Sequence, residues 1–72
     1  MILLSISQLC LLRSLRKAGF PCELIGIFLL RCGASEEEWK SLAGLVEERQ
    51  GRYWLTEQGQ KLYRLESKGR YF

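Results

Sequence analysis

Apolar residues recur at three-residue steps near the start of the chain, with basic residues between them. Four residues share this spacing: Ile6, Leu9, Leu12 and Leu15. The pattern predicts an amphipathic helix over about residues 4–17 with one apolar face. Ser5 or Ser7 is a suitable N-cap, and Gly19 stands where a helix-ending glycine is expected.

The next apolar segment has no polar face. Residues 24–30 are Leu-Ile-Gly-Ile-Phe-Leu-Leu, and Pro21 before them suits a first helical turn. The segment predicts a second helix over about 22–32 that is buried against several neighbours and ends at Gly33. Gly26 within it would permit close packing against the first helix.

A third, short helix of about nine residues is indicated by Ser35 and Glu38, which have the spacing of a capping box. Trp39, Leu42 and Ala43 share its inner face, and Gly44 ends it. After it, residues 45–56 alternate between apolar and polar, with Gln50-Gly51 as a hairpin tip.

Thr56 is a suitable N-cap for a final helix over about 57–68, with Leu62 and Leu65 facing inward and Gly69 at its end. Within the hairpin, the inward positions are Leu45, Tyr53 and Leu55. The whole pattern predicts this buried set: Leu9, Leu12, Leu24, Phe28, Trp39, Leu42, Leu55 and Leu62.

Composition fits one soluble domain over residues 1–72, with its core at about 5–68 and a short tail at 69–72. Apolar residues make up 47% of the 72 residues and charged residues 26%. The sequence contains neither His nor Asp, so the usual general base and metal ligand are missing. We therefore expect no enzymatic activity, no metal and no other cofactor.

Three cysteines (Cys10, Cys22 and Cys32) have no C-x-x-C spacing, and we expect them to be buried free thiols in a reducing cytoplasm. The apolar run at residues 1–12 lacks the basic start and the cleavage site of a secretory signal. It is also too short to cross a bilayer. A cytoplasmic protein without membrane contact is predicted.

Residues 5–68 resemble the winged helix-turn-helix superfamily. Helix two, the turn at Gly33 and helix three resemble its helix-turn-helix, and residues 44–59, Gly-Leu-Val-Glu-Glu-Arg-Gln-Gly-Arg-Tyr-Trp-Leu-Thr-Glu-Gln-Gly, resemble its wing. The Leu-Thr-x-x-Gly string within them is moderately specific. The resemblance implies a mainly α fold with a small β-hairpin wing, in the order helix-helix-helix-hairpin-helix.

Membership would imply a small DNA-binding transcriptional regulator, with helix three in the major groove and the wing against the backbone or minor groove. By position, the residues that would bind double-stranded DNA are Lys40, Ser41, Arg49, Gln50 and Arg52. The first and last helices would form a homodimer. The net charge of +3 is compatible with a polyanionic partner without requiring one.

The sequence departs from that family pattern in helix three, which is about one turn short and begins with Glu36, Glu37 and Glu38. Three interpretations of these carboxylates are open. They stabilise the N-terminus of the helix, they repel nucleic acid, or they bind a basic protein partner. The alternative function is a winged-helix protein-interaction module: an adaptor, an inhibitor or a subunit of an assembly. Its partner-binding candidates are the outward-pointing Trp54 together with Tyr63, Tyr71 and Phe72.

Overall fold

The computed structural model describes residues 4–68, except for the side chain of Lys17. Within that range the helices are α1 (Ile6–Ala18), α2 (Ile25–Cys32), α3 (Glu36–Lys40) and α4 (Glu57–Glu66), with a 3₁₀ turn at Cys22–Leu24. The strands β1 (Phe20–Pro21), β2 (Val46–Arg49) and β3 (Arg52–Leu55) form an antiparallel sheet in the order β1–β3–β2. A mainly helical chain with a small hairpin is thus confirmed.

Helix α1 supplies the centre of the core, and its predicted extent is confirmed within two residues at each end. Leu9, Leu11, Leu12 and Leu15 are all buried, but Ile6 is 67% exposed. A helix turns by about 100° per residue, so the nine steps from Ile6 to Leu15 put these two residues on opposite sides. A strict three-residue step therefore drifts off the core face, and Leu11 is buried instead of Ile6.

Helix α2 packs on the core by one face only. Four of its residues contact the core: Ile25, Phe28, Leu29 and Cys32. Ile27 and Leu30 are 54% and 83% exposed, so the prediction of a helix buried on most sides is wrong. Gly26 lies on the same outer face with open space around it, and it does not serve close packing against α1. Nothing in the described part of the chain covers this face.

The predicted core is confirmed for Leu9, Leu12, Leu42 and Leu55, which are buried. The other four members are only half-buried: Leu24, Phe28, Trp39 and Leu62. Leu65 was expected to face inward but is 70% exposed. Helix α4 buries Gly59 and Tyr63 instead, and Leu65 lies about 200° around the helix from Tyr63.

Two of the three cysteines form a disulfide. Cys10 of α1 and Cys32 of α2 are bonded, with their Cα atoms 5.7 Å apart, and Cys22 is free. The prediction of three free thiols is wrong because side-by-side packing of α1 and α2 brings together residues that are 22 positions apart. The cytoplasmic location stays a prediction, and the disulfide removes the free-thiol argument on which it partly rested.

The hairpin has the predicted position and tip. Gln50 and Gly51 both have positive φ values, 55° and 75°, as a tight two-residue turn of the hairpin type requires. The register pairs Val46 with Leu55 and Arg49 with Arg52. Strand β1 pairs with the free edge of β3; a two-residue strand that contains a proline gives no recognisable sequence signal.

Candidate nucleic-acid interface

Helix α3 is held in place by two linked capping boxes. At its own start, Ser35 Oγ accepts from the amide of Glu38, and Glu38 Oε1 accepts from the amide of Ser35 at 3.1 Å. At the start of α1, Ser5 and Gln8 make the same reciprocal arrangement. The Ser5 hydroxyl also donates to Glu38 Oε2 at 2.6 Å. These bonds connect the first turns of the two helices.

Glu38 therefore has a structural role that its two neighbours do not share. The hydrogen bond from the Ser5 hydroxyl and then that from the Ser35 amide lower the pKa of Glu38 below its ordinary value of 4.5. Glu36 and Glu37 are exposed and have no ion pair among the described residues. They leave the outward side of α3 negatively charged.

A groove of about 280 Å³ separates α3 from the hairpin, where a recognition helix and a wing would both face DNA. Its charged lining residues are Lys40, Glu47 and Glu48. The Glu47 carboxylate is paired with Arg49, which leaves Glu48 and Lys40 as the charges of the lining without an ion pair among the described residues, and Glu36 and Glu37 add negative charge on α3. This side of the molecule is unfavourable for a phosphate backbone.

Of the two candidates at the C-terminal end of α3, only Lys40 has a side chain without a partner among the described residues. Lys40 is exposed at the last position of the helix. The Ser41 hydroxyl accepts from Gln8 Nε2 at 2.5 Å and donates to the carbonyl oxygen of Glu38 at 2.7 Å. Ser41 is exposed, but its hydroxyl is already engaged within the fold, and its role as a base contact stays a prediction.

The wing candidates converge on one surface. Alternation along β2 and β3 puts Glu47, Arg49, Arg52 and Trp54 on the same side of the sheet, which we call the outer wing face. The guanidinium carbons of Arg49 and Arg52 lie 5.4 Å and 5.8 Å from the Trp54 ring centroid. Both distances are within the range of a cation–π contact.

Trp54 lies on the outward side of the sheet, as expected, but it is half-buried. Its indole packs over Gly19, where an added Cβ would lie 3.2 Å from Trp54 Cε3 and would collide with the carbonyl oxygen of Tyr53. Its Nε1 donates to the carbonyl oxygen of Arg49 at 3.4 Å. The ring is thus a fixed platform beneath the two arginines.

The two arginines differ in how firmly they are held. Arg52 Nη2 donates to the carbonyl oxygens of Ala18 and Gly19 at 3.4 Å and 3.3 Å, at the C-terminal end of α1. Arg49 Nε is 3.0 Å from Glu47 Oε1 in a largely exposed pair, which contributes little to stability. Gln50 is exposed at the tip. The ion pair between Glu47 and Arg49 was not predicted from the sequence. Its signal is the two-residue spacing, because residues i and i+2 of a strand lie on the same face.

The predicted aromatic partner surface is not formed as expected. Tyr63 is only 2% exposed, because α4 turns this residue toward α1, so it cannot join Trp54 on a surface. Tyr71 and Phe72 lie outside the described residues. Trp54 is the one aromatic candidate that the described residues place on the outer wing face.

Next to the hairpin, Cys22 has no sign of reactivity. Burial, followed by the charge of Glu48, raises the pKa of the Cys22 thiol above its ordinary value of 9.0. Burial also raises the pKa of Tyr53, with the neighbouring Cys22 as the next cause. A thiol with a raised pKa is protonated near neutral pH, and the protonated form is the poorer nucleophile.

Residues 4–68 contain no group of three Cys or Glu side chains placed to hold a metal ion. Among the helices described above, none is long and apolar enough to cross a membrane. A comparison with known families, curated proteins and solved structures found no family model, no curated protein and no solved structure that matches the chain.

Proposed function

We propose that the protein is a winged-helix module that binds double-stranded DNA through its hairpin and acts as a small transcriptional regulator. The order of elements supports the winged-helix assignment: three helices, then a hairpin whose second strand also pairs with a short strand between α1 and α2. The turn at Gly33, which has left-handed backbone angles, leads into the capped helix α3, as in a helix-turn-helix.

The observation that carries the DNA-binding proposal is the convergence of Arg49 and Arg52 on Trp54. A guanidinium has five N–H donors, and stacking on an aromatic ring leaves donors free for phosphate oxygens. The Arg49 side chain is 64% exposed, and among residues 4–68 its carboxylate partner is the exposed Glu47. An approaching phosphate can therefore replace that carboxylate at low cost.

Helix α3 has a secondary role in this proposal. A carboxylate about 8 Å from a phosphate is repelled by about 2 kcal/mol at a surface-like dielectric, before screening by salt. Glu36 and Glu37 together would offset several favourable contacts, and α3 has only five residues. Of the residues in α3, Lys40 is the candidate for an auxiliary contact.

The test is a titration of duplex DNA at two salt concentrations with Arg49→Ala and Arg31→Ala. Arg31 is an exposed arginine of α2, so the two variants remove the same charge from different surfaces. Arg49→Ala should weaken binding to all sequences and lower the salt slope by about one unit, whereas Arg31→Ala should leave both unchanged. Equal effects of the two variants would mean that only net charge matters, and the wing proposal would be wrong.

A second candidate function, the protein-interaction module, is favoured by the uncovered apolar face of α2. Ile27 and Leu30 are three residues apart on that face and are among the most exposed large apolar side chains in the described chain. In that case duplex DNA would not bind even at low salt, and Leu30→Ser would abolish partner binding without loss of stability. A homodimer through α1 and α4 also stays a prediction, to be checked by sedimentation.

A further inference from the structure

A small pocket lies between α1 and α4, away from the outer wing face. Its volume is about 120 Å³, roughly four times the share of one water molecule in the liquid. All the residues that line it have polar or charged side chains: Arg16, Gln60, Tyr63, Arg64 and Ser67. The pocket thus has the size and chemistry for one small hydrophilic group.

The charged side chains that line the pocket are both positive. Neither Arg16 nor Arg64 forms an ion pair with any described residue, and the lining contains no carboxylate. The two carboxylates of α4 have other partners. Glu57 Oε1 is 3.9 Å from Lys61 Nζ, and Glu66 Oε1 accepts a hydrogen bond from the backbone amide of Leu4 at 2.8 Å. Both arginines are exposed, and two guanidinium groups beside one cavity make it a favourable place for an anion.

Tyr63 provides a separate observation. Tyr63 is one of the residues that line the pocket. Its hydroxyl is buried, with almost no accessible surface, and it has no hydrogen-bond partner in the described part of the chain. Buried hydroxyl groups are nearly always paired, so an unpaired one requires an explanation. The guanidinium carbon of Arg16 lies 5.5 Å from the centroid of the same ring, which fixes this arginine at the pocket.

We propose that this pocket binds one tetrahedral oxyanion of the phosphate class, either inorganic phosphate or the terminal phosphate of a small phosphomonoester. Arg16 and Arg64 would donate paired N–H groups to its oxygens, and the Tyr63 hydroxyl would donate a further hydrogen bond. The pocket does not use the outer wing face, so this proposal does not depend on DNA binding.

The first experiment titrates inorganic phosphate into the full chain at constant ionic strength and follows binding by calorimetry. Arg16→Gln and Arg64→Gln should each weaken binding about tenfold or more, because each removes charge-assisted hydrogen bonds. Arg13→Gln is the matched control, since Arg13 is an exposed arginine of α1 that does not line the pocket. Binding that is absent in the parent protein, or equally weakened by all three changes, would overturn the proposal.

Tyr63→Phe tests the hydroxyl while the ring and the stacking of Arg16 are kept. Binding should weaken several-fold with the thermal midpoint unchanged or raised, because the variant also removes an unpaired buried group. An unchanged phosphate affinity would exclude Tyr63 from the site. A duplex DNA titration of Arg16→Gln separates the phosphate sources: lost DNA affinity without any binding of free phosphate would assign the pocket to backbone phosphate and contradict our proposal.

Discussion

At the scale of single residues, three consecutive glutamates at the start of α3 have different roles. Glu38 accepts hydrogen bonds from Ser5 and Ser35 and joins two helix starts, while Glu36 and Glu37 are exposed. The capping box was predictable from the sequence because Ser35 and Glu38 are three positions apart. The bond from Ser5 was not, because it depends on how α1 and α3 pack.

Glu38 should make stability depend on pH. Its pKa is lowered in the folded state, so its contribution is complete above the unfolded value of about 4.5 and is lost as pH falls through the folded value. Urea unfolding between pH 3 and pH 7 should show a smaller acid-induced loss of stability for Glu38→Gln than for the parent protein. Glu37→Gln is the control, and identical acid profiles for the two variants would contradict this role.

Two glycines offer a matched pair of substitutions. A Cβ on Gly59 would collide with the carbonyl oxygen of Leu45 and lie 2.7 Å from Leu55 Cδ1, whereas a Cβ on Gly26 would meet nothing within 4 Å. Gly59→Ala should therefore destabilise by about 1–3 kcal/mol, and Gly26→Ala should stabilise α2 by about 0.4–1 kcal/mol. Denaturant unfolding measures both, and a neutral Gly59→Ala would show that α4 sits farther from Leu45.

At the scale of elements, the attachment of α2 differs most from the sequence-based expectation. Its composition predicted burial on most sides, but composition does not specify how many neighbours a helix has. One face packs on the core, Cys32 is bonded to Cys10, and Leu30 is exposed. The hairpin was predicted well because its signals, apolar alternation and the Gln50-Gly51 tip, are local.

The disulfide should contribute substantially to the stability of this fold. Closing a loop of 22 residues is worth about 3 kcal/mol in the chain-entropy model. Dithiothreitol should lower the free energy of unfolding of the parent protein, and it should not affect a variant with Cys10→Ser and Cys32→Ser. Cys22→Ser is the control and should retain the response. Mass spectrometry should confirm that all thiols are free in the presence of dithiothreitol. If the free energy of unfolding is then the same with and without dithiothreitol, the disulfide does not make this contribution.

At the scale of the whole molecule, charge is distributed by surface. Arg49 and Arg52 lie on the outer wing face, while Glu36 and Glu37 leave the outward side of α3 negative. The sequence showed how many charged residues the chain has. The surface on which each of them lies depends on the strand register and on the rotation of each helix about its axis. For the same reason, the pocket between α1 and α4 was not visible in the sequence.

The central claim is that DNA contacts chiefly the outer wing face, with α3 in a secondary role. A short duplex added to ¹⁵N-labelled protein at low salt tests it most directly, with amide and indole signals followed by NMR. We expect the largest shifts at the Trp54 indole Nε1–H and at the amides of Arg49 to Arg52, all reversed by added salt, with small changes over residues 36–41. Largest shifts in α3, with an unchanged Trp54 indole signal, would contradict it.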